Sequence, residues 1–271
     1  MKKIMLLLLA VFAWTGVLLA DNLDFTVNGS PYDATGFGGY YYISPYYAHD
    51  NTTGNNLTMF CLDFDHEINT PENYDANIHA IPGSSTSFSG VANQFQFGAV
   101  TDLSNFADTY GVLTGASIYQ RYEAAVWLVS HEMAELNALG GAAVNSFAGH
   151  QIRAKYQYAA WELFVYQGSD SAMLASSLAA VGANAYGSSF GADVGSELTA
   201  AITAAKNGAV SLVGWAVVSP VPVGQPNSLQ EFLSPVSSAD VAPVPEPSAI
   251  LMLGTVGLAI GALLFRRRQS V

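Results

Sequence analysis

Two apolar runs, Ile4 to Ala20 and Ala249 to Phe265, bracket a long stretch in which apolar and polar residues are mixed. Inside the bracket the pattern changes once. From Asn22 to about Val100 it is β-branched, aromatic and rich in turn formers. Gly38 to Ile43 and Leu57 to Phe64 read as strands, Val91 to Val100 alternates weakly as another, and Asp50 to Asn56 and Ile81 to Ser87 read as loops. From Leu113 to about Gly208 alanine is abundant and the apolar period becomes helical. Residues 118–138 place Tyr122, Ala125, Val129 and Met133 on one side, widened by Val126 and Trp127, with Gly140 and Gly141 as the stop. A second helix over 147–166 carries Ile152, Tyr156, Ala159, Ala160 and Leu163. Residues 171–180 and 194–206 read as two more, and Val210 to Val218 returns to strand character. Prolines 220, 222, 226 and 235 mark irregular chain, and 234–243 reads as a linker.

These elements predict an α+β body. A β-rich N-terminal part packs against an alanine-rich helical part, closed by a strand near Trp215. A β-sandwich with helical decoration and two loosely joined domains are the alternatives. Tyr122 to Trp127 resembles Tyr156 to Trp161, with the tryptophans 34 residues apart. Two copies make no solenoid, so they read as two helices presenting aromatics to a shared core.

The terminal runs add a route. Lys2 and Lys3 precede the first run, and Ala20 supplies a small residue before Asp21, so 1–20 reads as a secretory signal peptide, with an uncleaved anchor as the alternative. Signal peptidase and the Sec translocon are the implied partners. The second run holds 17 uncharged residues, roughly 25 Å of helix, at the short end of what spans a bilayer. Pro245 and Pro247 exclude a helix start before Pro247, and Ser248 fits an N-cap. Arg266, Arg267 and Arg268 belong on the cytoplasmic side, which puts the body on the other.

Without the two ends the charge becomes one-sided. Residues 21–243 hold 20 acidic and 4 basic residues, a formal charge of 4 − 20 = −16. That surface repels nucleic acid and anionic lipid, and both are excluded as partners. Cys61 is the single cysteine, so no disulfide staples the chain within itself.

Val244, Pro245, Glu246 and Pro247, then the span 249–265, then Arg266 to Arg268, together resemble the sorting signal of PEP-CTERM proteins of Gram-negative bacteria. The likeness covers residues 244–268. It implies recognition by an exosortase, a membrane-embedded cysteine transpeptidase, and cleavage near the Pro-Glu-Pro box. Transient anchoring in the inner membrane with a periplasmic body would follow, then delivery to the cell surface or matrix. Exopolysaccharide is the partner that such proteins often accompany. The body 21–233 would then be structural or adhesive.

Candidate chemistry in the body centres on Cys61-Leu-Asp-Phe-Asp-His-Glu67. In a strand, Cys61, Asp63 and Asp65 share one face and Leu62 and Phe64 the other. Asp63, Asp65 and Glu67 are oxygen donors of the kind Ca²⁺ takes, but they lack the glycine and spacing of a calcium loop, and a solvated strand end is the preferred reading. No zinc pattern, nucleophile elbow, phosphate loop or dinucleotide fingerprint occurs. No cofactor is expected. A secreted hydrolase, with Cys61 served by His131 or His150, remains an alternative that no spacing supports.

A second resemblance joins Cys61 to the helical half. Phe60-Cys61-Leu62-Asp63 and Gln157-Tyr-Ala-Ala-Trp161 are similar to the cysteine and glutamine boxes of thioester-domain surface adhesins. The second box departs at Ala160, where those proteins have isoleucine, and the first lacks the usual following proline and glycine. Glu123 stands where the earlier echo would need glutamine. The resemblance implies that the Cys61 thiol and Gln157 carboxamide lose ammonia to form an internal thioester able to capture an amine. The alternative is a buried free cysteine and an unrelated glutamine on a helix surface.

Overall fold

The computed structural model describes residues 21–27, 43–64, 72–98, 100–221 and 230–236. The chain is α+β. Six antiparallel strands close a barrel: β1 (Asp21–Val27), β2 (Tyr46–Asp50), β3 (Asn56–Cys61), β4 (Glu72–Ala80), β5 (Trp215–Pro220) and β6 (Phe232–Pro235), in the order β1-β2-β3-β6-β5-β4. Four strands come before the helices and two after them. The seam is made where β6 pairs with β3, Phe60 opposite Leu233 and Cys61 opposite Phe232, and where β5 runs from Ala80 to Ala76 along β4. Closure leaves no strand edge among the six.

The helical part is the excursion between β4 and β5. It contains α1 (Ser85–Ser89), α2 (Ile118–Leu139), α3 (Phe147–Glu162), α4 (Ser169–Val181) and α5 (Phe190–Lys206). Local chemistry sets the ends of α2. Ser117 accepts from Gln120 N–H and the Gln120 side chain reaches back, a capping box, while Gly140 at φ 71° ends the helix. Ser146 caps α3 in the same sense. Helices α2, α3 and α5 pack on one another, and α3 also lies against β3. The C-terminal half of α3 is therefore covered all round: Tyr156, Gln157, Tyr158, Ala159, Ala160 and Trp161 are all buried. Strand β5 is similarly covered, with Ala216 to Ser219 buried in succession, so its sequence reads as a run and does not alternate.

Several expectations are corrected. Val91 to Val100 is not a strand; a 3-10 turn at Ala92–Gln94 and further turns replace it, and they drive Phe95 and Phe97 into the core. The loop expected over 81–87 turns into α1 at Ser85, capped by Ser84. Met133 is partly exposed, and the buried stripe of α2 runs through Glu132 to Leu136 instead. Strand β3 ends at Cys61, and Cys61, Leu62, Asp63 and Phe64 are buried alike, so the two-faced reading of that stretch fails. Ser234 and Pro235, expected in the linker, pair with Ala216 and Trp215 in β6. Strands β1, β2, β4 and β6 have no counterpart in the sequence reading. The strand expected at 38–43 lies outside the described residues except for Ile43. So do the signal peptide 1–20, most of the linker and the tail 244–268 with its span 249–265. Among the described residues no helix is long and apolar enough to cross a membrane.

Candidate functional site

Cys61 and Gln157 meet where β3 leaves the barrel and α3 covers it. Both are buried, so the reading of Gln157 as a helix-surface residue is overturned. Gln157 Nε2 donates to the Cys61 carbonyl at 2.7 Å. Gln157 Oε1 accepts from Ser44 N–H at 3.1 Å and from the Ser44 hydroxyl. The Ser44 Oγ in turn accepts from Cys61 N–H at 2.9 Å. The orientation of the carboxamide is not arbitrary. A peptide carbonyl only accepts and a peptide N–H only donates, so the nitrogen must face Cys61 and the oxygen must face Ser44. Burying an unsatisfied amide would cost about 1–3 kcal/mol, and these partners remove that cost.

The thiol has its own cradle. Cys61 Sγ donates to the Asp63 carbonyl at 3.0 Å, and the Trp161 indole N–H reaches Sγ at 3.5 Å. Trp161 is one turn beyond Gln157 on α3, and its ring lies 5.2 Å from that of Phe64. Burial pushes the thiol up to about 12, against a smaller lowering from the Trp161 donor. Cys61 is therefore held as a neutral thiol, sheltered from water. A cysteine hydrolase needs a thiolate and a base. The described partners of Sγ include no histidine: His131 Nδ1 faces the Trp127 carbonyl at 2.8 Å and its ring stacks on Trp127.

A buried acid network lies behind the pair. Asp63 is almost fully buried, which corrects its reading as part of a solvated strand end. Its Oδ2 accepts from Gln96 Nε2 at 2.6 Å. Glu231, with no exposed surface, accepts from Tyr122 OH, Ser219 Oγ and Gln96 N–H, each at 2.6 Å. Leu62 N–H donates to the Glu231 carbonyl at 2.9 Å, tying the segment after Cys61 to the start of β6. Burial raises the Glu231 carboxyl to about 7 despite those donors, and the nearby Asp63 charge adds to the rise. Among the described residues no group of histidine, cysteine or carboxylate side chains is arranged to hold a metal ion; Asp65 and Glu67 lie outside them.

The two halves of the tryptophan echo part company. Tyr122 faces the acid network and Trp161 the thiol, whereas Trp127 is only half-buried. Glu123 lines a surface groove of about 840 Å³ with Tyr119, Ile81, Val210 and Trp215. That groove's described lining offers a single carboxylate, where glycoside hydrolysis uses two across a cleft.

Sequence reasoning missed Ser44, Gln96, Ser219 and Glu231. Gln96 lies in the weakly alternating run 91–100 as one polar position among several, and the others fall in no periodic segment that would single them out. Ser44 follows a strand-like run as one hydroxyl among many, and Glu231 sits among prolines in chain that reads as irregular. Chemically, the arrangement fixes a carboxamide with a polarised carbonyl on the backbone of a cysteine whose thiol is buried. No family model, curated protein or solved structure matches the chain.

Proposed function

We propose that the chain is an exported surface or matrix protein whose body is a covalent adhesin, with Cys61 and Gln157 joined as an internal thioester. The observation that carries this reading is the clamp on Gln157: its nitrogen on the Cys61 carbonyl and its oxygen on Ser44, which also binds Cys61 N–H. Two residues 96 positions apart, one from the barrel and one from the helices, share a three-residue hydrogen-bonded ring. Holding them so converts a bimolecular reaction into an intramolecular one, which offsets the weak nucleophilicity of a protonated thiol. Burial suits the product as well, because a thioester shielded from water survives until an amine reaches it.

Export and sorting rest on the two termini. The tail from Val244 to Arg268 supports recognition by an exosortase, with anchoring through 249–265 and release by cleavage near the Pro-Glu-Pro box. Without the thioester, the same route would deliver a noncovalent structural component associated with exopolysaccharide.

Intact mass of the protein tests these parts together. A thioester makes the body lighter than its sequence by one ammonia. Methylamine then frees the Cys61 thiol and leaves Gln157 heavier than glutamine by one methylene. Cys61→Ala and Gln157→Ala each abolish both changes. An unshifted mass with a titratable thiol in fresh folded protein ends the covalent reading. Signal cleavage near Ala20 and tail loss near Pro247 appear as separate mass differences, and an uncut chain from a host with active exosortase ends the processing claim.

A further inference from the structure

The proposed thioester requires a place for negative charge on Gln157 Oε1, and the structure supplies one from a residue outside both sequence boxes. Ser44 is 1% exposed. Its backbone N–H points at Oε1 from 3.1 Å and its hydroxyl donates to the same atom. The hydroxyl is itself aimed, because its oxygen is occupied by Cys61 N–H at 2.9 Å. The proton of Ser44 Oγ is thus directed to Oε1, which can only accept. Two preorganised donors on one carbonyl oxygen, in a water-excluded site, form an oxyanion hole.

We propose that Ser44 is the catalytic oxyanion donor of the Cys61–Gln157 reaction, in both closing the thioester and opening it with an amine. This rests on the thioester reading and adds to it a residue and a role. In closing, Sγ adds to Gln157 Cδ and the carbonyl electron pair moves onto Oε1, between the Ser44 N–H and hydroxyl. The pair returns as the Cδ–Nε2 bond breaks, and the thiol proton leaves on that nitrogen as ammonia. Nothing is oxidised or reduced. In opening, an unprotonated primary amine adds to Cδ, the charge again collects on Oε1, and the Cδ–Sγ bond breaks. The amine proton goes to Sγ, which restores the thiol and leaves an N-substituted Gln157 amide. The carboxamide nitrogen stays oriented until departure by the Cys61 carbonyl.

The discriminating experiment uses full-length protein labelled with ¹³C at glutamine Cδ, as wild type, Ser44→Ala and Ser44→Thr. Methylamine opening is followed by thiol release, and the labelled carbonyl by infrared absorption. Ser44→Ala keeps the backbone donor and loses the hydroxyl. Opening is expected to slow by about 100-fold, the carbonyl band to move to higher frequency, and Ser44→Thr to recover both. A folded Ser44→Ala that never loses ammonia, beside a wild type that does, supports the same assignment. Wild-type rate and an unmoved band in Ser44→Ala would overturn the role of Ser44 and leave the thioester standing. A wild type that retains its ammonia would overturn both. Should Ser44→Ala fail to fold, the wild-type band decides: a position matching an unbonded thioester in apolar solvent sinks the assignment, and a lowered one upholds it.

Discussion

The barrel and the helical excursion are built by different means. The helices form from neighbours in sequence. Ser117 and Gln120 cap α2, Gly140 stops it, and α2, α3 and α5 pack on one another. The barrel closes only when β5 and β6 return, after more than a hundred residues, to pair with β4 and β3. Their buried polar groups differ in the same way. In the helices, Glu132 is buried near Arg153, whose charge only partly counters the upward push of burial on the carboxyl. At the barrel seam two sets of buried polar groups join barrel to helix, Ser44, Cys61 and Gln157 in one and Tyr122, Ser219 and Glu231 in the other, with Gln157 lying 113 positions from Ser44 and Tyr122 lying 109 from Glu231. Polar specificity is concentrated where the two modes of construction meet, and the Cys61–Gln157 pair lies there.

The most severe way to break the comparison is at β6. Phe232 is fully buried, pairs with Cys61 and packs edge-on against Tyr46 at 5.4 Å. Phe232→Ala is expected to cost about 3–5 kcal/mol in chemical denaturation. It should also speed release of the Cys61 thiol by methylamine, which an equal loss of stability placed in α5, at Ile202→Ala, should not.

Next comes pH. Glu231 holds its proton up to about 7 in the folded protein, whereas the unfolded chain releases it near 4.5. Between those values the folded state binds more protons, so this contribution is complete below 4.5 and is lost as pH rises through 7. Its size is on the order of 3 kcal/mol. Glu123, Glu132 and Glu162 are shifted upward by burial in the same direction. Melting temperature should therefore fall from pH 5 to pH 8, and Glu231→Gln should flatten the slope whatever it does to the absolute value.

A smaller effect belongs to Gln157 itself. Gln157→Leu keeps the volume and orphans Ser44 and the Cys61 carbonyl, an expected cost of about 1–3 kcal/mol by thermal melting. A loss well below that range would show that the ring is not part of the protein's stability.

The least costly change tests the helical side. Lys155 bridges Glu135 at 3.2 Å and Glu197 at 2.8 Å, and is partly exposed. Lys155→Met should cost no more than about 1 kcal/mol, read as the shift in denaturation midpoint, and should leave the reactivity of Cys61 unchanged. A change in thiol reactivity would show that the helical packing sets the site at a distance.

Four helices were legible in the sequence because a period of 3.6 and a glycine stop are local signals, read correctly at Gly140 without knowledge of the rest, whereas the Ser117 cap emerged only in the structure. The strand through Leu57 and the closing strand near Trp215 were legible as apolar runs. Strands β1, β2, β4 and β6 were not. Leu23 to Val27 and Asp75 to Ala80 alternate apolar with polar residues, but over few positions, and the pairing that makes Asp21 to Val27 or Phe232 to Pro235 a strand lies tens to hundreds of residues away. The alternation of Val91 to Val100 misled because Phe95 and Phe97 are buried by turns that fold back on the core. Sequence alone also determined the terminal runs, the acidic balance, the single thiol and the glutamine box. Only the tertiary structure decided that Gln157 is buried, that Ser44 and Cys61 hold its carboxamide, and that Glu231 closes an acid network behind them. The physical reason is that hydrogen bonds between buried side chains depend on distances in space, and residues 44, 61, 157 and 231 are brought together only when the barrel closes over the helix.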